Sequence, residues 1–169
     1  MDGAITDIDA GLYDRDEYDW LLRQAAALRA RHVTTLDFPH LAEFLEDMAR
    51  REWRELKSRL TVLLLHIVKF QVQPERASRS WALTVQHQQD QLRMITTSAI
   101  LRREAEAMLS DVWKRACGLA STETGVPLRS IEALSPLTLD AALEWETPTE
   151  FPAPDRPRGF WEDEEEFWS

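Results

Sequence analysis

Between Leu41 and Phe70 apolar side chains recur in steps of three and four: Leu41, Leu45, Met48, then Ala49 or Trp53, then Leu56, Leu60, Leu63, Ile67 and Phe70. A helical turn of 3.6 residues gathers such positions into one stripe, whereas the two-residue period of a strand would scatter them over both faces. One helix of roughly thirty residues would reach about 50 Å at ~1.5 Å per residue. The stripe thins near Arg50–Arg51, where a bend is expected. Pro74 lacks an amide hydrogen and ends the run, pushing Gln73 toward extended backbone. A chain carrying this element is committed to helix packing. Its scarcity of glycine and tyrosine, 5 and 2 residues, beside abundant Ala, Leu, Glu and Arg points the same way. The expected fold is all-α: a single helical bundle of about five helices built around one long bent helix, with a short last helix.

The remaining segments supply the other helices. Asp14 reads as a helix start, with Glu17 in capping-box spacing. Tyr18, Leu21, Leu22, Ala25 and Leu28 follow as its apolar edge, up to about His32. Asp37 is the next start signal, with Pro39 in the first turn. Ser78 or Ser80 can cap a helix whose apolar edge is Trp81, Val85, Leu92 and Ile95, with Gln86, Gln88, Gln89, Asp90 and Gln91 facing water. Ser98 can cap another, stopped by Gly125 and Pro127. Ser135-Pro136 reads as the opening of the last helix, through Leu143. The expected organisation is therefore an acidic leader at 1–13, a helical domain at 14–143, and an acidic tail rich in proline and aromatics at 144–169, extended or disordered.

Charge is unevenly distributed within a net −10. Residues 1–19 carry seven acids and one arginine, residues 50–81 eight Lys/Arg against three acids, and residues 144–169 nine acids and two arginines. The acidic whole argues against nucleic acid as a general partner. The basic centre suits one anionic partner, either an unknown protein or the chain's own acidic tail. The longest apolar run, Val62–Leu65, is far short of the ~20 residues needed to span a membrane. No basic, apolar export signal is present, so a cytoplasmic location is expected. The single cysteine, Cys117, excludes an internal disulfide and a cysteine zinc site.

The segments LAEFLEDMAR, RELKSRL, LLLHIVKF and QVQPERASRSW, all within Leu41–Trp81, resemble a bacterial family known as domain of unknown function 29. LYDRDEYDWLLRQAAALRAR and STETGVPL (Ser121–Leu128) extend the resemblance over roughly residues 12–143. It implies an all-helical domain and assigns no biochemical activity. Members tend to end soon after the last short helix, so the resemblance says nothing about the tail.

Four groups of residues could carry chemistry. On the long helix, Glu46, Asp47, Glu55, Arg59, His66 and Lys69 are polar. Arg59 and His66 share a face two turns apart, a spacing also found where an Arg–His pair holds and protonates a phosphodiester. That spacing also arises by chance on many helices, and the favoured reading is a buried His66 bonded to a carboxylate such as Glu46 or Asp47, with Glu55–Arg59 a surface ion pair. Around Pro74, Lys69, Arg76, Ser78, Arg79 and Ser80 could form an anion pocket with the amides opening the next helix. There the arginines could instead pair with Glu46, Asp47 or the acidic chain ends. His40, Glu43 and Glu46 have metal-like spacing, but no second helix offers a partner pair, so no metal is expected. The tail brackets an acidic run with Phe160-Trp161 and Phe167-Trp168, rings that suit docking into a groove. Nothing calls for a cofactor. The residues favour a helical interaction or scaffold protein, with a homo-oligomer compatible with the long stripe. The alternative is an enzyme acting on an anionic, phosphodiester-like substrate through Arg59 and His66.

Overall fold

A computed structural model describes residues 11–152, and among them every regular element is helical, as expected. The acidic leader at 1–10 and the tail at 153–169, with Phe160, Trp161, Phe167 and Trp168, lie outside the described residues. In order come α1 (Leu12–Arg15), α2 (Glu17–Ala30), α3 (Phe38–Val72), α4 (Arg79–Ile95), α5 (Ala99–Thr124), α6 (Leu128–Ile131) and α7 (Leu139–Leu143). Short 3-10 turns, Val33–Thr35 and Pro74–Arg76, precede α3 and α4. No described helix is long and apolar enough to cross a membrane.

The long helix forms as its period requires. α3 has 35 residues, about 52 Å at ~1.5 Å each, and continues through Arg50–Arg51. Asp37 caps it: its carboxylate accepts from the His40 amide and its carbonyl from Leu41. Two compact units meet at Arg54–Glu55, within this helix.

In the first unit, α2 does not start where Asp14 suggested. Asp14 lies inside the one-turn α1, and Asp16 is the cap, accepting from the Asp19 amide at 3.0 Å. The buried face also differs from expectation. Tyr18, Leu22 and Leu28 are exposed, while Trp20 and Gln24, one turn apart, are fully buried. An indole buries more apolar area than any of the competing side chains, and its polar N–H has a partner to bury against. That partner is Asp37, at 3.3 Å, and Gln24 accepts from the Asp37 amide at 2.8 Å. Tyr13, His40 and Phe44 pack their rings around Trp20. α2 ends at Arg31 in left-handed backbone (φ 58°), a place glycine usually takes. The stripe of α3 is exposed at Leu45 and Met48; the buried residues of this helix run from Leu56 to Phe70. Periodicity marks an apolar face without saying what covers it.

In the second unit, Leu56, Leu60, Leu63, Leu64, Ile67 and Val68 of α3 form a continuous core with Val85 and Leu92 of α4 and Val112, Trp113, Ala116 and Ala120 of α5. Local start and stop signals act as read: Ser78 caps α4, Ser98 caps α5, and Gly125 (φ 74°) ends α5. The last helix is capped one turn later than expected, by Thr138 rather than at Ser135-Pro136, and α6 after Pro127 was not foreseen. Trp145 and Phe151 pack against the core, so the beginning of the stretch read as tail belongs to the packed structure.

α7 has only five residues, far below the length at which an isolated helix holds together. It is held by the side of α4 that was expected to face water. Gln89 is buried, and its amide donates to the carbonyls of Ala142 (3.1 Å) and Trp145 (2.8 Å). Arg93, one turn on, donates to the Leu143 carbonyl. Together they satisfy three carbonyls at and just beyond the end of α7, while Leu139, Ala142 and Leu143 close over the core.

Candidate functional site

The ends of α3 and α5 and the start of α4 bring together most of the basic candidates in the second unit. Lys69 is nearly buried. Its ammonium lies 2.8 Å from Glu123 and 4.3 Å from the centre of the Trp81 ring. Such an anion and such a ring face stabilise a buried ammonium, so Lys69, expected at the anion pocket, is held within the fold by Glu123. One turn on, Gln73 donates to the Thr124 carbonyl at 3.0 Å, tying the α3 end to the α5 end a second time.

His66 sits one turn before Lys69, half-buried. Its Nδ1 lies 2.9 Å from the Val62 carbonyl of its own helix. A carbonyl can only accept, so Nδ1 carries the proton and Nε2 keeps its lone pair. Burial lowers the imidazole pKa, and the neighbouring Lys69 charge adds to this, against the Val62 bond and Glu123. His66 is thus neither bonded to Glu46 or Asp47 nor paired with Arg59. Arg59 binds Glu55 at 2.8 Å and reaches Gln88 of α4 at 3.3 Å. Two turns separate it from His66, about 10 Å along the axis. The Arg59–His66 couple of the enzyme reading is therefore not assembled.

Glu46 and Asp47 are both taken by Arg50, at 3.3 and 2.6 Å, and this bond holds the Asp47 carboxyl below the usual carboxylate range. Two of the acids expected as partners of Arg76 and Arg79 are thus held by Arg50, and the others, at the acidic chain ends, lie largely outside the described residues. Both arginines are exposed, with no ion pair among the described residues. Between them, Ser78 accepts from the Trp81 amide at 3.4 Å, and its hydroxyl lies 2.9 Å from that of Ser80. The turn therefore carries two exposed guanidinium groups beside two hydroxyls bonded to each other, with Trp81 packed edge-on against Phe70.

No group of three or more His, Cys, Asp or Glu side chains with metal-binding geometry is found among the described residues. In the spacing once considered for a metal, the His40 imidazole is spent on Asp37 at 2.6 Å and stacks on Tyr13. The hydrogen bond to Asp37 raises the His40 pKa. At Asp37, burial pushes upward, but the bonds from His40 and Trp20 outweigh it and hold the carboxyl low. Cys117 is buried, which pushes its thiol pKa up and keeps it unreactive.

A groove of about 450 Å³ lies elsewhere in this unit, between α5 and the segment leading into α7. Leu109, Pro136, Leu137 and Leu139 give it an apolar lining, with Glu106 and Asp140 at its edge. Arg102 bridges those two carboxylates at 3.2 and 2.7 Å. No spacing in the sequence marked this groove, because it arises where an irregular loop crosses a helix.

No curated protein and no solved structure matches the chain. A family profile does match, over residues 12–146, covering every described helix. The chain belongs to the family described as domain of unknown function DUF29.

Proposed function

We propose that this chain is a helical interaction protein whose turn at Arg76–Ser80 captures an acidic polypeptide segment. The observation that carries this reading is the contrast among its cations. Lys69, Arg59 and Arg50 are each held by an acid of the fold, whereas Arg76 and Arg79 are exposed, adjacent and without an ion pair among the described residues. Two paired hydroxyls and the opening of α4 complete a surface suited to carboxylates. The segment comes either from a protein partner or from the chain's own run Glu162–Glu166. Trp145 packs on Phe70, which packs on Trp81, so the chain leaves its last helix close to this turn.

The test is titration of the full chain with a poly-glutamate peptide and, separately, with inorganic phosphate. The expected result is peptide binding that weakens with salt and is lost in R76A/R79A, which removes only exposed groups. Retained peptide binding in that variant would refute the proposal. Binding of phosphate alone would overturn it in favour of a small anionic substrate.

A further inference from the structure

We propose that Phe160 and Trp161 dock in the groove beside α5, placing their rings against Leu109, Pro136, Leu137 and Leu139. This uses different residues from the Arg76–Ser80 turn; with the tail seated here, the acidic segment at that turn comes from a protein partner. Three observations converge on it.

The first is volume and polarity. About 450 Å³ of mainly apolar space falls within the range of about 300–1,000 Å³ that proteins use to enclose organic groups. Two adjacent aromatic side chains supply large apolar area with few rotatable bonds.

The second is charge order. Along α5 the groove is lined by Glu106, Leu109 and Ser110; one turn beyond Ser110, outside the lining, stands the exposed Lys114, which has no ion pair among the described residues. Arg102 neutralises one of the two carboxylates at the first end, leaving a net negative rim beside Asp140. The tail reads in the matching order. Arg156 and Arg158 come just before the ring pair, and Glu162 and Asp163 just after it. Laid parallel to α5, the arginines meet the carboxylate rim and the acids meet Lys114. The spans agree as well. Glu106 to Lys114 is about 12 Å of helix at ~1.5 Å per residue. Arg158 to Glu162 is about 13 Å of extended chain at ~3.3 Å per residue.

The third is reach. The described chain ends at Pro152, nine residues after α7, whose own residues Leu139 and Asp140 belong to the groove wall or its edge. Phe151, next to that end, still packs against the core to which Leu139 belongs, and eight further residues to Phe160 extend up to about 26 Å.

Methyl-resolved NMR of the full chain tests this, comparing it with F160A/W161A and with R156E/R158E. These substitutions lie outside the described helices, and unchanged far-ultraviolet circular dichroism in both variants checks that the fold is kept. In F160A/W161A the methyl resonances of Leu109, Leu137 and Leu139 are expected to shift as the ring currents leave. Amide exchange at Leu137–Asp140 should quicken several-fold in the same variant. R156E/R158E should give the same shifts in part, more weakly as salt is raised. Unchanged methyl resonances in F160A/W161A would overturn the proposal. So would shifts confined to Ser78–Trp81, which would put the rings at the basic turn. Shifts that vanish on dilution would assign the groove to a second copy of the chain instead.

Discussion

Replacing Gln89 with leucine isolates how the last helix is held. The side chains are similar in size, so the change removes a donor without opening a cavity. Two carbonyls lose their partner. That of Ala142 is buried and that of Trp145 partly so. An orphaned buried acceptor costs about 1–3 kcal/mol, which suggests about 2 for the first and about 1 for the second, where water has some access. The added apolar burial of leucine offsets about 1 kcal/mol. The net expectation is a loss of about 2 kcal/mol. Urea denaturation followed by circular dichroism should show a lower midpoint with little change in slope. Hydrogen exchange supplies the sharper readout: amides of α7 and Trp145 should open well before those of α5, because Arg93 alone would then hold the end of α7. Q89E should be worse near neutral pH, since an ionised carboxylate offers no donor to either carbonyl. A loss below about 0.5 kcal/mol in Q89L, with unchanged exchange at α7, would refute the reasoning.

Other outcomes follow from the same physics. E123Q should destabilise more than K69M, because the first strands a nearly buried ammonium while the second leaves a half-exposed acid in water; chemical denaturation of both variants decides it. R31G should stabilise by up to about 1 kcal/mol by relieving left-handed backbone at a non-glycine residue, read as a higher thermal midpoint. The His40–Asp37 pair should give stability two limbs in pH. His40, raised by its partner, contributes fully below its unfolded value of about 6.5 and loses that contribution as pH rises through its higher folded value. Asp37, lowered, contributes above about 3.8 and loses it as pH falls through its folded value. H40Q should flatten the alkaline limb and D37N the acid limb in unfolding measured from pH 3 to 9, a range of about six units. For His66, whose pKa burial lowers, stability should instead fall as pH drops below its unfolded value, and H66Q should remove that dependence.

The features legible in the sequence are those whose cause is local. The α3 stripe, the caps Ser78 and Ser98, and the Gly125 stop each depend on residues within a turn or two. α2 was misread because two faces competed. The more numerous one, Tyr18–Leu22–Leu28, lost to a single indole whose partner, Asp37, lies 17 residues away. Gln89 was placed in water because its partners are backbone carbonyls, which leave no mark in a sequence, 53 and 56 residues on. Lys69 looked available for the same reason, since Glu123 stands 54 residues downstream. At the basic turn, Arg76 and Arg79 were legible as cations, but their freedom from pairing could only be seen once Arg50 was found holding Glu46 and Asp47. The α5 groove had no signature, since it belongs to the crossing of two segments.

The clamp on α7 also has a consequence for synthesis. A chain emerges from its N-terminus, and domains fold as their residues become available. Gln89 and Arg93 leave the ribosome fifty or more residues ahead of the carbonyls that satisfy them. Until Trp145 is made, α3, α4 and α5 can associate only with one side of their core open, where Leu139, Ala142 and Leu143 will later sit. A nascent chain stalled or cut within that interval presents the same apolar face.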